Sequence, residues 1–111
     1  MVKFNQGGSM KEYYIDLGSS TIKVYEYENN LKLLEEHSIY FKNEFDKEKG
    51  ISKKNLEELT SYFSELKKKY HFLYENTHIY VTGIFRELNY ERKVELVKLF
   101  NDKFDLYFNI I

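Results

Sequence analysis

The stretch that most limits what this chain can fold into is Tyr13-Tyr14-Ile15-Asp16-Leu17-Gly18-Ser19-Ser20-Thr21-Ile22-Lys23-Val24-Tyr25. An apolar strand runs into an acid, turns at a glycine flanked by hydroxyls, and leaves as a second strand carrying a cation seven residues after the acid. Such a turn commits the start of the chain to an antiparallel hairpin. Glycine puts no side chain in the way of converging backbone N–H groups, and neighbouring hydroxyls add donors, so the turn can cradle an anion. It reads equally well as a polar hairpin in which Gly18 merely makes the bend, and the hairpin alone does not separate the two.

The rest of the sequence gives the hairpin a setting. Glu28-Asn29-Asn30-Leu31 offers a tight turn, because asparagine tolerates the positive φ that short hairpin loops require. A third strand is expected from Leu31 to about Phe41, with Leu31, Leu33, Ile39 and Phe41 on one face and Lys32, Glu36 and Ser38 on the other. Asn43 to Gly50 is a charged loop with Phe45 tucked inward. Ser52 is a good N-cap for a helix from about Lys53 to Tyr70, whose Leu56, Leu59, Phe63, Leu66 and Tyr70 share one face. The Lys67-Lys68-Lys69 run suits the negative end of that helix dipole. Thr77 to Thr82 has the composition of a buried strand, which Gly83 breaks. Asn89 can cap a second helix from about Tyr90 to Lys103, burying a combination of Val94, Leu96, Val97 and Phe100, and Leu106 to Ile111 reads as a last strand. Met1 to Met10, with its Gly-Gly-Ser and second methionine, is an expression leader or a flexible native arm.

The order β-β-β-α-β-α-β implies an α/β unit: a mixed five-stranded sheet of the ribonuclease-H-like kind, with helices packed on it. At 111 residues this is one domain, short for a complete two-lobed enzyme. A net charge of −1 supplies no basic excess for a nucleic-acid backbone. No run is long enough for a membrane span and no signal peptide is evident, so a cytoplasmic protein is expected, with neither nucleic acid nor membrane as partner. The absence of cysteine removes disulfides, Cys-ligated zinc, iron–sulfur clusters and thiol nucleophiles. His37, His71 and His78 lack metal-ligand spacing and read as structural or surface residues. The eleven tyrosines and nine phenylalanines are read mostly as packing.

Two separated motifs carry a resemblance. Asp16 to Lys23 is similar to the first phosphate-binding hairpin of the superfamily containing actin, the seventy-kilodalton heat-shock chaperones and sugar kinases. Val81-Thr82-Gly83-Ile84-Phe85-Arg86-Glu87-Leu88-Asn89 resembles the strand-to-helix segment of exopolyphosphatases and guanosine pentaphosphate phosphohydrolases, where a hydroxyl residue and a following arginine face bound phosphate; Gly83 departs from the serine usual there. The resemblance covers Lys11 to Ile111 and implies one lobe of an actin-like phosphohydrolase. It implies that Gly18, Ser19, Ser20, Lys23, Thr82 and Arg86 bind phosphate, and that Asp16 positions Mg²⁺ through water. The ligand would be polyphosphate or the phosphates of a nucleotide. The general base is expected beyond Ile111, so no catalytic residue is assigned within the chain, and its partner would be a missing C-terminal lobe or a second copy of the chain. The competing expectation is a binding or scaffold module, homodimeric in one form, that keeps the fold without the chemistry. A ribonuclease-H-like nuclease is disfavoured, because Asp16 is the only acid placed for its metals.

Overall fold

The computed structural model describes residues 11–110; the two readings of Met1 to Met10 and the end of the last strand at Ile111 lie outside them. Strands β1 (Glu12–Leu17), β2 (Thr21–Tyr27) and β3 (Leu31–Ser38) form an antiparallel meander. Helix α1 (Lys53–Tyr70) then carries the chain back to β4 (Thr77–Val81), which lies parallel to β1 on its other side. Helix α2 (Tyr90–Phe104) leads to β5 (Phe108–Ile110), parallel to β4. The sheet order is β3-β2-β1-β4-β5, which places β1 at the centre with the hairpin turn at its carboxyl end.

The local rules act where the sequence places them. Ser52 Oγ accepts from Asn55 N–H at 3.1 Å and Asn89 Oδ1 from Arg92 N–H at 2.9 Å, so both helices begin at their side-chain caps. At the far end of α1, Lys67 Nζ donates to the Phe104 carbonyl and Lys69 pairs with Glu35, which uses two of the three consecutive lysines structurally.

Both helices cover the same face of the sheet. Tyr13, Ile15 and Leu17 of β1, Ile22 and Val24 of β2, Ile79 and Val81 of β4 and Phe108 of β5 meet Leu59, Phe63 and Leu66 of α1 and Leu96, Phe100 and Phe104 of α2 in one core. Phe63 lies edge-on to Phe100 at 4.9 Å between ring centres and also touches Phe108, so one aromatic cluster joins both helices to the sheet. Each such ring, fully buried, is worth roughly 1.5–3 kcal/mol of transfer free energy. Val94, a candidate core residue, instead faces solvent.

The third strand departs from its expected pattern. Val24 stands opposite Glu35 but Tyr25 stands opposite Leu33, so Leu34 is an extra residue and the pairing shifts there. A bulge flips every side chain beyond it. Leu31 and Leu33 therefore lie exposed beside Tyr25 and Tyr27 on the helix-free face, while Glu35 and His37 turn toward α1. Strand β3 ends at Ser38; Ile39 and Phe41 are buried as expected, but in a following turn whose N–H groups donate to the carbonyls of Ser20 and Ser19 at 3.2 and 3.1 Å.

Candidate phosphate-binding site

The two segments singled out in the sequence meet at the carboxyl ends of β1 and β4, the end of a parallel α/β unit where ligands bind. Gly18 closes the hairpin through its N–H to the Thr21 carbonyl at 3.1 Å, and Thr82 N–H donates to the Leu17 carbonyl at 3.0 Å, prolonging the β1–β4 pairing by one bond. Past Thr82 the chain turns into a short 3-10 helix, Gly83–Glu87, which carries Arg86. Gly83 has φ +67°, and a Cβ built there would fall on Ser19 Oγ and lie 3.0 Å from Ser19 N. That overlap and the left-handed backbone both demand glycine. In the space so left, Ser19 Oγ accepts from Ile84 N–H at 2.9 Å.

The carbonyls of Ser19 and Ser20 are taken by Phe41 and Ile39, and the Gly18 N–H is taken within the turn. Among the described residues, the N–H groups of Ser19 and Ser20 have no protein partner. The Ser20 hydroxyl, the Thr82 hydroxyl, the Lys23 ammonium, the Asp16 carboxylate and the Arg86 guanidinium likewise make no hydrogen bond or ion pair among the described residues. Thr82 Oγ1 is 3.9 Å from where a Cβ on Gly18 would stand, which brings it to the hairpin. Asp16 and Lys23 are register partners on the helix-free face, with Asp16 exposed and Lys23 half-buried. Arg86 is exposed two residues past the Ser19–Ile84 contact, and no bond ties it to the hairpin.

Among the described residues there is no group of three or more His, Cys, Asp or Glu that could hold a metal by itself. The Asp16 carboxylate, without a partner among the described residues, is of the kind a hydrated Mg²⁺ takes, since that ion uses one or two carboxylates. Two of the three histidines are used structurally, and His71 is exposed. His37 stacks on Tyr62 with its Nε2 3.3 Å from Glu58, and His78 stacks on Tyr14 with its Nε2 2.7 Å from Glu12.

Sequence reasoning missed two features. Glu35 accepts from Tyr62 OH at 2.8 Å, Tyr70 OH at 2.6 Å and Lys69 Nζ at 3.0 Å. Partial burial pushes its carboxyl up, but the hydrogen bonds from Tyr70, Lys69 and Tyr62 outweigh it and hold the group below the usual carboxylate range. Burial first, and Glu35 second, raise both tyrosines. The second feature is the open sheet face, where Tyr14, Tyr25, Tyr27, Leu31 and Tyr80 line an apolar groove that reaches Asp16.

A mixed sheet in the order 3-2-1-4-5 with a glycine hairpin at the end of its central strand is an α/β unit of the ribonuclease-H-like fold. Solved structures that share this fold include exopolyphosphatase-type proteins. A Ppx/GppA family member from Aquifex aeolicus superposes with a TM-score of 0.64 at 15% identity, over 92% of this chain and 35% of its own. An exopolyphosphatase from Cytophaga hutchinsonii gives 0.66 at 13% identity, over 92% of this chain and 34% of its own. The chain thus spans about a third of the length of the solved structures it matches. No protein-family model and no curated protein sequence matches it. The described helices include none long and apolar enough to cross a membrane.

Proposed function

We propose that this chain is the phosphate-binding lobe of an exopolyphosphatase-like, Mg²⁺-dependent phosphoanhydride hydrolase of the cytoplasm. The observation that carries this reading is the pair of N–H groups at Ser19 and Ser20 that have no partner among the described residues, in a turn whose Gly18 N–H and Ser19 and Ser20 carbonyls are bonded. Ser19 is half-buried and Ser20 exposed, and two successive N–H groups left open beside a glycine form a concavity that suits an anion. In this reading the Ser19 and Ser20 N–H groups and the Ser20 hydroxyl hold terminal phosphate oxygens of polyphosphate or of a nucleotide. Lys23 and Arg86 neutralise their charge, Thr82 donates from the β4 side, and Asp16 holds Mg²⁺ through water. The bound ion would supply charge neutralisation at the phosphate oxygens. Phosphoanhydride hydrolysis is mostly positioning and electrostatics, which these groups can provide on one wall of a cleft. A general base and a second phosphate-binding hairpin would come from a further lobe, so this chain alone is expected to bind without turnover.

Calorimetric titration with tripolyphosphate tests the reading. Binding that needs Mg²⁺ and loses that dependence in Asp16→Ala is the expected outcome, and no heat at millimolar ligand with or without Mg²⁺ would reject it.

A second reading, a non-catalytic binding or scaffold module, draws on the helix-free sheet face, where Tyr27, Leu31, Leu33 and Tyr80 are 43, 59, 48 and 37% exposed. Sheets with parallel strands are usually covered on both faces. A second lobe or a second copy of the chain would serve as that cover. A concentration-dependent dimer by light scattering, together with absent phosphate binding, would favour this reading.

A further inference from the structure

Thr82 occupies the N-cap of the 3-10 helix with extended backbone, and threonine there ordinarily accepts from an N–H two or three residues on. Its side chain makes no such bond. The open N–H of Ile84 is capped instead by Ser19 Oγ, from a residue 65 positions earlier. Gly83 makes the exchange possible, since any side chain there would stand where the Ser19 hydroxyl sits. The Thr82 hydroxyl is thereby left without a protein partner, at the edge of the hairpin beside Gly18.

We propose that Ser19 is a positioning residue that latches the two halves of the site together, and that its capping of Ile84 releases Thr82 to donate to the bound phosphate. This rests on the phosphate-site reading above. Ser19 then contributes to ligand binding in two ways, its N–H at the anion and its oxygen at Ile84, and the second acts only through Thr82. Without the Ser19 oxygen, the Thr82 hydroxyl turns to cap Ile84 itself, as an N-cap threonine does by default. The hydroxyl is then lost to the ligand even though the residue is still present.

A double-mutant cycle on Mg²⁺-tripolyphosphate affinity tests this, with calorimetry as the readout. Thr82→Ala is expected to weaken binding about tenfold in the natural chain, the size of one hydrogen bond. Ser19→Ala should weaken it by a similar factor, and adding Thr82→Ala to Ser19→Ala should cost nothing further. The Ile84 amide proton should keep a hydrogen-bonded shift in Ser19→Ala and lose it only in the double variant, because Thr82 replaces the cap. Should Ser19→Ala fail to fold, Ser19→Cys keeps the shape with a weak sulfur acceptor and enters the same cycle. Multiplying losses in the double variant, or a Thr82→Ala that binds like the natural chain, would overturn the latch. If the natural chain itself does not bind tripolyphosphate, the phosphate reading falls, and the Ile84 shift still reports whether the two hydroxyls exchange the cap.

Discussion

Two polar clusters flank the same sheet and are built in opposite ways. Around Glu35, each carboxylate oxygen is met: Tyr62 donates to one, and Tyr70 and Lys69 to the other. At the end of β1, Asp16, Lys23, Thr82 and Arg86 are left without partners among the described residues, although Asp16 and Lys23 stand opposite each other in register. The first arrangement ties an edge strand to α1 and has nothing to spare for a ligand. The second keeps donors and charges in reserve, and it also spends structural bonds, from Thr82 N–H and Ser19 Oγ, on holding those groups beside one another. Complete pairing fits a structural role, and pairing withheld at a junction held by backbone bonds fits the proposed phosphate site.

The contrast is sharpest in stability. Glu35→Ala leaves two tyrosine hydroxyls and a lysine without their acceptor and should cost about 2 kcal/mol in urea unfolding, within the range for hydrogen bonds to a charged group. A loss near zero would show the cluster to be ornamental. Tyr70→Phe removes one donor of three and should cost about 1 kcal/mol. The pH dependence follows from the direction of the Glu35 shift. Its folded value lies below the unfolded 4.5, so its stabilisation is complete above about that pH and is lost as pH falls through the lower folded value. Unfolding midpoints measured from pH 7 to pH 3 should therefore fall more steeply in the natural chain than in Glu35→Gln, and parallel curves would contradict this. Smallest of all should be the stability effects at the other cluster. Asp16→Ala and Arg86→Ala are expected to change unfolding free energy by less than about 0.5 kcal/mol while weakening tripolyphosphate binding. A large stability loss in either would turn that residue into a structural one.

What could be read from the sequence followed the range of the interaction. The helices were legible because Ser52 and Asn89 cap within three residues and the apolar stripe of α1 repeats within one turn. The hairpin and the strand order were legible for the same reason, since the turn signals sit between the runs they join. The face of β3 was not, because the bulge at Leu34 depends on how β3 seats against β2, and alternation alone put Leu31 and Leu33 on one face with Ile39 and Phe41. The role of Glu35 was not legible, because its three donors lie 27 to 35 residues away. The candidate site was legible as two motifs with a common destination. The exchange of caps between Thr82 and Ser19 was not legible, as it spans 65 residues and hinges on a missing Cβ at Gly83.

The central claim is that the open N–H groups of Ser19 and Ser20 are donors held for phosphate, and their amide proton shifts measure it directly. On titration with Mg²⁺-tripolyphosphate both resonances should move downfield together and saturably, with Arg86 responding on the same isotherm. Resonances of Ser19 and Ser20 that stay fixed at millimolar ligand, while the remainder of the spectrum is that of the folded chain, would contradict it.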